Sequence, residues 1–404
     1  MGYFARPFER KAFDPLEIWA EMTRAGRTSK AGTTVNLETA LRVAAFFACL
    51  KVLSQGVAQI PFKLLQENEE SGLKQIRPAR EHRLYDLVAT QPNDWQTSFE
   101  FREQLVIHAA VGNAYVWKNR TIGGLAEMIL LDPARMAVEH KDEYAAPTYK
   151  YSGKDGRTVA FPAEQIWHIR GPSWSGALGM DVLNVARDVL GLTIAIDDGV
   201  AGLHKNGATP SGIYSVDGTL NPDQHKQLTA WIKGQAATPG TPLVLDKGAK
   251  WLQQTMKSVD AQTREMRSAQ IEEVCRLMGV MPIMVGYSDK ASTYASSEQM
   301  FLAHVIHTLS PWYSRIEQSA DVNLLTKSER AKGYYFKFNA NGLMRGAASD
   351  RAEYYAKALG SGGSQGWMTA DEVRALEEMN PMGGDAAKIP APSNKKPPDQ
   401  PQGA

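Results

Sequence analysis

Two histidines, His304 and His307, form the pair in this sequence whose type and spacing come nearest to a metal site. They lie three positions apart on a predicted helix, so both imidazoles could point the same way. A protein zinc site takes three or four ligands, and the sequence places neither a carboxylate nor a third histidine on that face. We therefore expect packing or solvent-facing histidines and no bound metal.

The sequence contains two cysteines, Cys49 and Cys275, and Cys275 is predicted to be an ordinary residue rather than a reactive one. Cys275 lies on a predicted helix without a histidine near it in the sequence, and Arg276 alone does not make an activated thiolate. We expect Cys275 to be a core cysteine. Two cysteines are also too few for a disulfide framework or a cysteine-based zinc site, and they suit a reducing compartment.

The sequence lacks the motifs of common enzyme classes. It contains neither a Gly-x-x-x-x-Gly-Lys-Ser/Thr phosphate loop nor a His-Glu-x-x-His zinc helix. The segment from Gly171 to Gly176 predicts a loop, because Ser175 stands where the Gly-x-Ser-x-Gly motif requires glycine. Adjacent carboxylates such as Asp142 and Glu143 point to different faces, which disfavours paired-carboxylate catalysis. The sequence predicts a protein without catalytic residues or cofactor, or an enzyme whose site it hides.

The composition bounds the class of protein. The chain has 404 residues, which is enough for two or three domains. Lys and Arg total 45 and Asp and Glu 44, so the formal charge of +1 excludes a polycationic nucleic-acid-binding protein. Hydrophobic residues at 43% and charged residues at 22% are typical of a globular protein and exclude wholesale disorder.

Targeting and membrane segments are not expected. No apolar run approaches the roughly 18 residues that span a bilayer. The first ten residues include Arg6, Glu9 and Arg10, which is not the pattern of a signal peptide. These features favour a soluble intracellular protein, or a component of something assembled inside a cell.

The first half of the chain predicts an α+β domain with a mostly antiparallel sheet, over residues 37–170. Residues 1–35 are polar and patternless, which indicates a flexible arm. Asn36 is predicted to cap an apolar helix over 37–59, and Thr97 and Glu100 form a capping box for a second helix that ends at Gly112. The predicted strands are 62–66, 73–76, 114–120, 128–131, 136–140, 148–151, 158–161 and 166–169.

The second half predicts long helices around a small insert. One helix should cover 181–206, and its glycines Gly191, Gly199 and Gly202 indicate close helix–helix approach. The insert holds predicted strands 211–216, 242–245 and 251–254 and a helix 221–234. Further predicted elements are a helix 260–278 ending at Gly279, an irregular stretch 282–297, a helix 297–325 kinked at Pro311, a strand 334–338 and helices 346–359 and 369–379. The proline-rich tail from Asp385 is predicted to be disordered.

Taken in order, short motifs across residues 36–345 resemble the portal proteins of tailed bacteriophages, in the compact branch of that family. Each motif is weak alone, but their order and spacing are specific. They are Gln59–Leu64, Gln91–Asn93, Gly112–Tyr115, Leu131–Pro133, Gly176–Gly179, Lys205–Gly212, Gly279–Pro282, Tyr294–Gln299 and Leu309–Pro311.

The resemblance implies a portal-type α+β subunit with an α/β wing, a two-helix stem, a small α/β clip, a long wing helix and a small helical crown. The parts it implies are a flexible N-terminal arm 1–35, wing 36–180, stem helix 181–206, clip 207–259, stem helix 260–280, tunnel loop 281–296, wing helix and strand 297–345, crown 346–384 and disordered tail 385–404.

The resemblance also implies a function and partners. Portal proteins form a ring, usually of twelve subunits, at one capsid vertex, and double-stranded DNA passes through its channel non-specifically during packaging and ejection. The implied partners are the terminase large subunit, a major capsid or scaffold protein and a head-tail adaptor, without a membrane. The implied location is the virion, after assembly in the host cytoplasm. Within the tunnel loop, the expected DNA-facing residues are Tyr287, Asp289, Lys290 and Tyr294.

Two other classes of protein are kept as alternatives. A nuclease or terminase subunit would need clustered metal-binding carboxylates, and a nucleotide-driven motor would need a phosphate loop. A minor capsid or scaffold protein is disfavoured by the pattern of a helix, an insert and a second helix. The predicted function is therefore that of a portal without enzymatic activity, cofactor or metal.

Overall fold

The computed structural model describes residues 27–70, 73–121, 124–140, 146–153, 155–205, 213–215, 221–236, 250–252, 257–287, 294–339, 348–360, 365–376 and 380–390. The chain divides into two compact units. The first comprises Met1–Ser292 and Ile306–Phe338, and the second comprises Thr293–Val305 and Asn339–Ala404.

The described chain contains α-helices and antiparallel strands, with six strands in succession between the helices Ser98–Val111 and Val182–Val185. The α-helices are α1 Leu37–Arg42, α2 Ala44–Ala58, α3 Leu84–Ala89, α4 Ser98–Val111, α5 Val182–Val185, α6 Arg187–Lys205, α7 Pro222–Ala236, α8 Lys257–Met278, α9 Tyr294–His304, α10 Ser310–Asn323, α11 Lys327–Ala331, α12 Ala348–Ala358 and α13 Ala370–Leu376. The strands are β1 Arg27–Thr28, β2 Thr34–Val35, β3 Phe62–Glu70, β4 Leu73–Pro78, β5 Asn113–Thr121, β6 Gly124–Leu131, β7 Met136–Glu139, β8 Thr148–Ser152, β9 Thr158–Pro162, β10 Ile166–Arg170, β11 Ile213–Ser215, β12 Lys250–Leu252 and β13 Tyr334–Phe338.

Three antiparallel sheets of three strands lie in the first unit. Their strand orders are β10-β5-β6, β13-β3-β4 and β7-β8-β9. In the second of these, β13 from late in the chain pairs with the early strand β3, with Phe338 opposite Phe62 and their rings 4.4 Å apart. The predictions of an α+β fold and of an antiparallel sheet are confirmed.

The core of the first unit is built around helix α2, which packs against α4 and α8. Its buried residues Phe46, Leu50, Leu53 and Val57 recur every three or four positions, so they form one apolar face. The Tyr313 hydroxyl on α10 donates a hydrogen bond to the Gly56 carbonyl at 3.0 Å, which ties α10 to this core.

The predicted single helix over 37–59 is wrong in one respect, because it breaks at Val43. The Asn36–Thr39 capping box starts α1 as expected. Val43 then takes an extended backbone, with ψ at 108°, and its side chain is buried while Leu41 is exposed. Because Val43 is buried and Leu41 is not, the apolar face of the first turns does not continue in line with that of α2. The helical spacing of the apolar residues does not reveal this change of direction.

The predicted flexible arm is also wrong over residues 27–35, where β1 and β2 form a hairpin. The hairpin contacts α6, because the Thr33 hydroxyl donates to the Gly191 carbonyl at 2.9 Å. A Cβ at Gly191 would lie only 2.2 Å from Ser29 Oγ. The absence of a side chain at this position therefore makes room for the hairpin, and not for a neighbouring helix. Hydroxyl contacts carry no hydrophobic pattern, which explains why the segment looked patternless. Residues 1–26 lie outside the described residues.

The predicted helix over 181–206 divides at Ala186 into α5 and α6, and its glycines do not mark the place where another described helix approaches. Within the described structure, a Cβ at Gly199 or Gly202 would meet no heavy atom within 4 Å. In the insert, α7, β11 and β12 confirm the predicted helix and two of the predicted strands. The predicted strand 242–245 lies outside the described residues.

The predicted helix over 297–325 begins earlier and is interrupted. Helix α9 starts at Tyr294, a π-helical turn covers Val305–Leu309, and α10 follows with Pro311 in its first turn. Proline has no N–H to donate to the preceding turn of the helix. The wider π-helical turn before Pro311 accommodates this missing hydrogen bond.

The second unit extends into the tail that was predicted to be disordered from Asp385. A 3-10 helix covers Gly384–Ala387, and the Asp371 carboxylate on α13 accepts hydrogen bonds from the Met382 and Gly383 amides at 2.7 and 2.8 Å. The prediction is therefore wrong for residues 385–390, since one carboxylate fixes the chain just before them. Residues 391–404 lie outside the described part of the chain.

Candidate functional site

Helices α6 and α8, which flank the insert, contact each other directly. The Arg267 guanidinium donates to Asp197 Oδ1 through Nη2 and Nε, at 2.6 and 3.1 Å. The Thr193 hydroxyl donates to Gln270 Oε1 at 3.3 Å. The ion pair is half exposed and contributes at most about 1 kcal/mol, so these contacts set the alignment of the helices more than their stability.

The charges on this helix pair are balanced. The cationic residues of α6 and α8 are Arg187, Lys205, Lys257, Arg264, Arg267 and Arg276, and the anionic ones are Asp188, Asp197, Asp198, Asp260, Glu265, Glu272 and Glu273. Acidic residues stand among the basic ones in the sequences of both helices, so neither sequence contains the continuous run of cations that binds phosphates strongly.

The chain leaves α8 through a fixed turn. Gly279 ends the helix with φ at +65°, a left-handed conformation that favours glycine. The Val280 amide donates to the Cys275 carbonyl at 2.9 Å, and the Thr308 hydroxyl donates to the Gly279 carbonyl at 2.9 Å. Val280 is buried. The base of the segment that follows α8 is therefore held in place.

The next residues form a 3-10 turn over Pro282–Val285, which ends at Gly286 with φ at +80°. The Tyr287 amide donates to the Pro282 carbonyl at 3.1 Å and closes the turn. The start of the predicted tunnel loop is thus a structured turn, and Tyr287 follows directly after it.

The four predicted DNA-facing residues fall in different parts of the chain. Tyr287 is partly buried in the first unit. Tyr294 was predicted to lie in the loop, but it begins helix α9 in the second unit, because the helix starts three residues earlier than its apolar pattern indicates. Asp289 and Lys290 lie outside the described residues. Of the four, only Tyr287 and Tyr294 lie among the described residues, one in each unit.

A hydrogen-bond network fixes the chain before α5 and α6. Asn113 Oδ1 accepts from the Gly179 amide at 2.8 Å and from His168 Nε2 at 2.9 Å. His168 Nδ1 then accepts from the Tyr149 hydroxyl at 3.2 Å. A Cβ on Gly179 would lie 1.9 Å from the Gly112 carbonyl oxygen, so only glycine allows the two segments to meet. The sequence motifs Gly112–Tyr115 and Gly176–Gly179 therefore form one structural joint, which sequence reasoning did not connect.

Burial keeps His168 neutral. Desolvation first, and then the charge of Arg170, lowers its pKa to about 2. The unfolded histidine has a pKa near 6.5, so the unfolded state binds a proton below that pH and the folded state does not. The stability that depends on neutral His168 is therefore complete above about pH 6.5 and is lost as the pH falls toward 2.

We expect the free energy of unfolding to fall below pH 6.5 by up to about 1.4 kcal/mol per pH unit for each buried histidine. The variant His168→Gln should show a shallower fall, since Gln does not titrate. Urea unfolding at several pH values between 7 and 4.5 measures both slopes. Equal slopes for the variant and the original protein would contradict a neutral, buried His168.

A metal site is not found among the described residues, where no three His, Cys, Asp or Glu side chains cluster. His304 is buried and His307 is exposed, so the two imidazoles do not share a face as their spacing suggested. Among those same residues, no helix is long and apolar enough to cross a bilayer.

One cavity of about 120 Å³ lies beside α4 and the start of α6. Its walls are mainly apolar, with His108 and Arg187 among the polar residues. Burial lowers the pKa of His108 to about 4, so this imidazole is neutral and cannot pair with an anion at neutral pH. The cavity is open on one side, and Arg27, Asp132 and Asp181 also line it, so cationic and anionic groups are mixed in its wall.

Comparison with known proteins decides the family. The family model for phage portal proteins matches residues 44–378, which covers most of the chain. The chain belongs to the phage portal protein family. The predicted resemblance is confirmed, and the alternatives of a nuclease, terminase subunit or minor capsid protein are not favoured.

Individual relatives agree with this portal assignment. The portal protein of Enterobacteria phage HK97 is 27% identical over 362 residues, which span 88% of this chain and 83% of that protein. A crystal structure of an HK97-family phage portal protein from Corynebacterium diphtheriae has a TM-score of 0.56 at 17% identity, over 78% of this chain and 99% of that one. A chain in the neck of a native gene transfer agent particle, computed with twelvefold cyclic symmetry, has a TM-score of 0.55 at 22% identity, over 90% and 98% of the two chains. The portal-type fold is thereby shown.

Proposed function

We propose that this chain forms a closed ring of twelve subunits at one vertex of a phage capsid and conducts double-stranded DNA through its centre. The single observation that carries the proposal is the portal family match over residues 44–378. The similarity to a chain from a particle neck with twelvefold symmetry supports the subunit number. In this role the protein is structural and has no catalytic residues.

The parts of the subunit are proposed from its helices and strands. The wing comprises 36–180 and 297–345, the stem comprises 181–206 and 260–280, the clip is 207–259, the tunnel loop is 281–296 and the crown is 346–384. The contacts between α6 and α8 support a two-helix stem, and the pairing of β11 with β12 supports a separate clip.

The balanced charge of α6 and α8 supports a channel through which DNA slides. Each phosphate that a cation neutralises releases counterions, and several such contacts per subunit, repeated around a ring, would hold DNA too tightly to move. This mixture of charges lets DNA pass without a strong binding site. In this proposal Tyr287, Asp289, Lys290 and Tyr294 contact passing DNA weakly and without reading its bases.

The proposed partners follow from the same role. The clip contacts the terminase large subunit during packaging and a head-tail adaptor afterwards, and the wing contacts the major capsid or scaffold protein. Assembly takes place in the host cytoplasm, and the finished ring stays in the virion. No membrane or cofactor takes part.

The ring is tested by the mass of the assembled protein. Large apolar side chains on the proposed stem are exposed in the single subunit, namely Val185, Leu192 and Met266 at 62%, 38% and 48%. We expect them to be buried between subunits, where one face meets a different face of the next copy. Mass photometry at micromolar concentration should find a species of twelve times the 44.4-kDa chain.

The variant Met266→Asp tests the interface separately. It should shift the mass toward single subunits, while circular dichroism stays unchanged because Met266 is half exposed. A protein that remains a monomer or dimer under every salt condition would contradict the ring. A ring that Met266→Asp leaves intact would contradict only the placing of the interface on the stem.

A further inference from the structure

The two cysteines of this chain, 226 residues apart, meet in the core of the first unit. Cys49 on α2 and Cys275 on α8 are both fully buried, and their sulfur atoms lie 3.8 Å apart. Both are free thiols. Since the sequence contains only these two cysteines, any pairing within the subunit is unique.

Cys49 lies in the middle of α2 and Cys275 in the last turn of α8, where the Val280 amide holds its backbone, so both sulfurs are carried by fixed backbone. A disulfide bond needs the two sulfurs at about 2.05 Å. The 3.8 Å separation must therefore close by less than about 2 Å for the bond to form. Helices α2 and α8 pack against each other around this pair.

The two thiols are chemically unequal. The Cys49 S–H donates to Cys275 Sγ, and this hydrogen bond raises the pKa of Cys49 and lowers the pKa of Cys275. The thiolate is the reactive form of cysteine, so Cys275 is the nucleophile of the pair and Cys49 is the resolving thiol.

We propose that Cys49 and Cys275 are an oxidisable pair, which a small peroxide converts to an intrachain disulfide that joins the second long helix flanking the insert to the core. A small oxidant is required because neither side chain is exposed. The Cys275 thiolate attacks one oxygen of hydrogen peroxide, the O–O bond breaks, and Cys275 becomes a sulfenic acid with release of hydroxide.

The Cys49 sulfur then attacks the Cys275 sulfur, and the hydroxyl leaves as water with the proton of the Cys49 thiol. In total, two thiols and one peroxide give one disulfide and two waters, so the sulfurs lose two electrons and the peroxide oxygens gain them. The chemistry rests on the packing of α2 against α8 alone. The setting, a particle outside the reducing interior of a cell, rests on the proposed function.

The disulfide would constrain the chain where it leaves α8. The Cys275 carbonyl accepts from the Val280 amide at 2.9 Å, so a crosslink at Cys275 also fixes the start of the segment over 281–287. Closing a long loop in the unfolded chain stabilises the folded state, and we expect oxidation to raise the Tm by about 5 °C or more.

The test uses the purified full chain treated with hydrogen peroxide, followed by denaturation, thiol alkylation and intact-mass measurement. We expect a product lighter by two hydrogen atoms that takes up no alkylating agent until dithiothreitol is added. Peptide mapping should then join the peptides of Cys49 and Cys275. The readout needs neither a ring nor DNA, so it is independent of the proposed function.

The matched control is Cys49→Ala, which retains Cys275 but lacks its resolving thiol. This variant should gain oxygen atoms in mass and show no rise in Tm. Two results for the original protein would overturn the proposal: thiols that stay reduced while the urea-denatured chain oxidises, or products that carry added oxygen or link two chains. Both results are measured on the original protein, so the proposal can be tested even if the Cys49→Ala variant fails to fold.

Discussion

Replacing residues 213–252 with a Gly/Ser linker of a few residues is expected to abolish binding of the terminase while the rest of the subunit stays folded. In the proposed function these residues form most of the clip, the exposed rim that the packaging motor contacts. The structure supports such a replacement, because Ile213 on β11 is paired with Leu252 on β12. Paired Cα atoms in antiparallel strands lie about 5 Å apart, so a short linker joins the two ends without strain.

The helices on either side of the insert are held without it. The contacts of Arg267 with Asp197 and of Thr193 with Gln270 are formed by α6 and α8 themselves. We expect the free energy of unfolding of the remaining chain to change by no more than about 1 kcal/mol, which is the range of an exposed substitution. Surface plasmon resonance with the purified terminase large subunit measures binding, and urea unfolding measures stability.

The control for this replacement is a chain in which only the exposed Lys327 outside the insert is changed, as Lys327→Glu. That chain should bind terminase as the original protein does. Terminase binding of unchanged strength by the linker variant would show that the docking surface lies elsewhere.

The second large effect is expected at the proposed tunnel loop, where Lys290→Glu should reduce DNA packaging severely while the ring still forms. Lys290 is the only cation between Pro282 and Ser297 in the sequence, and Asp289 stands beside it. Reversing this charge in every subunit places a circle of added negative charge around a polyanion. The double variant Tyr287→Ser and Tyr294→Ser should also reduce DNA packaging if the tyrosine side chains contact the duplex.

The packaging test measures nuclease-protected DNA per particle, and mass photometry of the same variants measures the ring. The matched control is again Lys327→Glu, which makes an equal change of charge at an exposed lysine outside the loop. Unchanged packaging in all the loop variants would contradict the assignment of the loop to the channel. Loss of the ring itself would contradict it too, because the segment would then be part of the subunit core.

The features that the sequence predicted correctly are those that short segments determine by themselves. The helix cap at Asn36, the capping box at Thr97 and the helix end at Gly279 each depend on residues within one helical turn. The predicted strands follow from alternation and turn residues, and each that falls among the described residues was found, although β3 ends at Glu70 and β6 begins at Gly124, four residues beyond the predicted bounds. The family likewise followed from the order of short motifs, and the family model confirmed it.

The predictions that failed concern places where a distant segment changes the outcome. The break at Val43 depends on what that side chain is buried against, and the path of residues 27–35 depends on hydroxyl contacts with Gly191. For the proposed DNA-facing residues, the sequence indicated a single loop, whereas Tyr294 starts a helix.

Sequence alone therefore determined the types of the elements, their caps and the portal family of this protein. Only the tertiary structure decided which remote residues meet. Asn113 joins Gly179 from 66 positions away, and Cys49 joins Cys275 from 226 positions away. Such contacts arise because burial of the apolar faces of α2, α4 and α8 brings these segments together, and hydrogen bonds and thiol contacts then form between whatever groups the packing places side by side. A periodic pattern records which face of a helix is buried, but it does not record the partner that covers it.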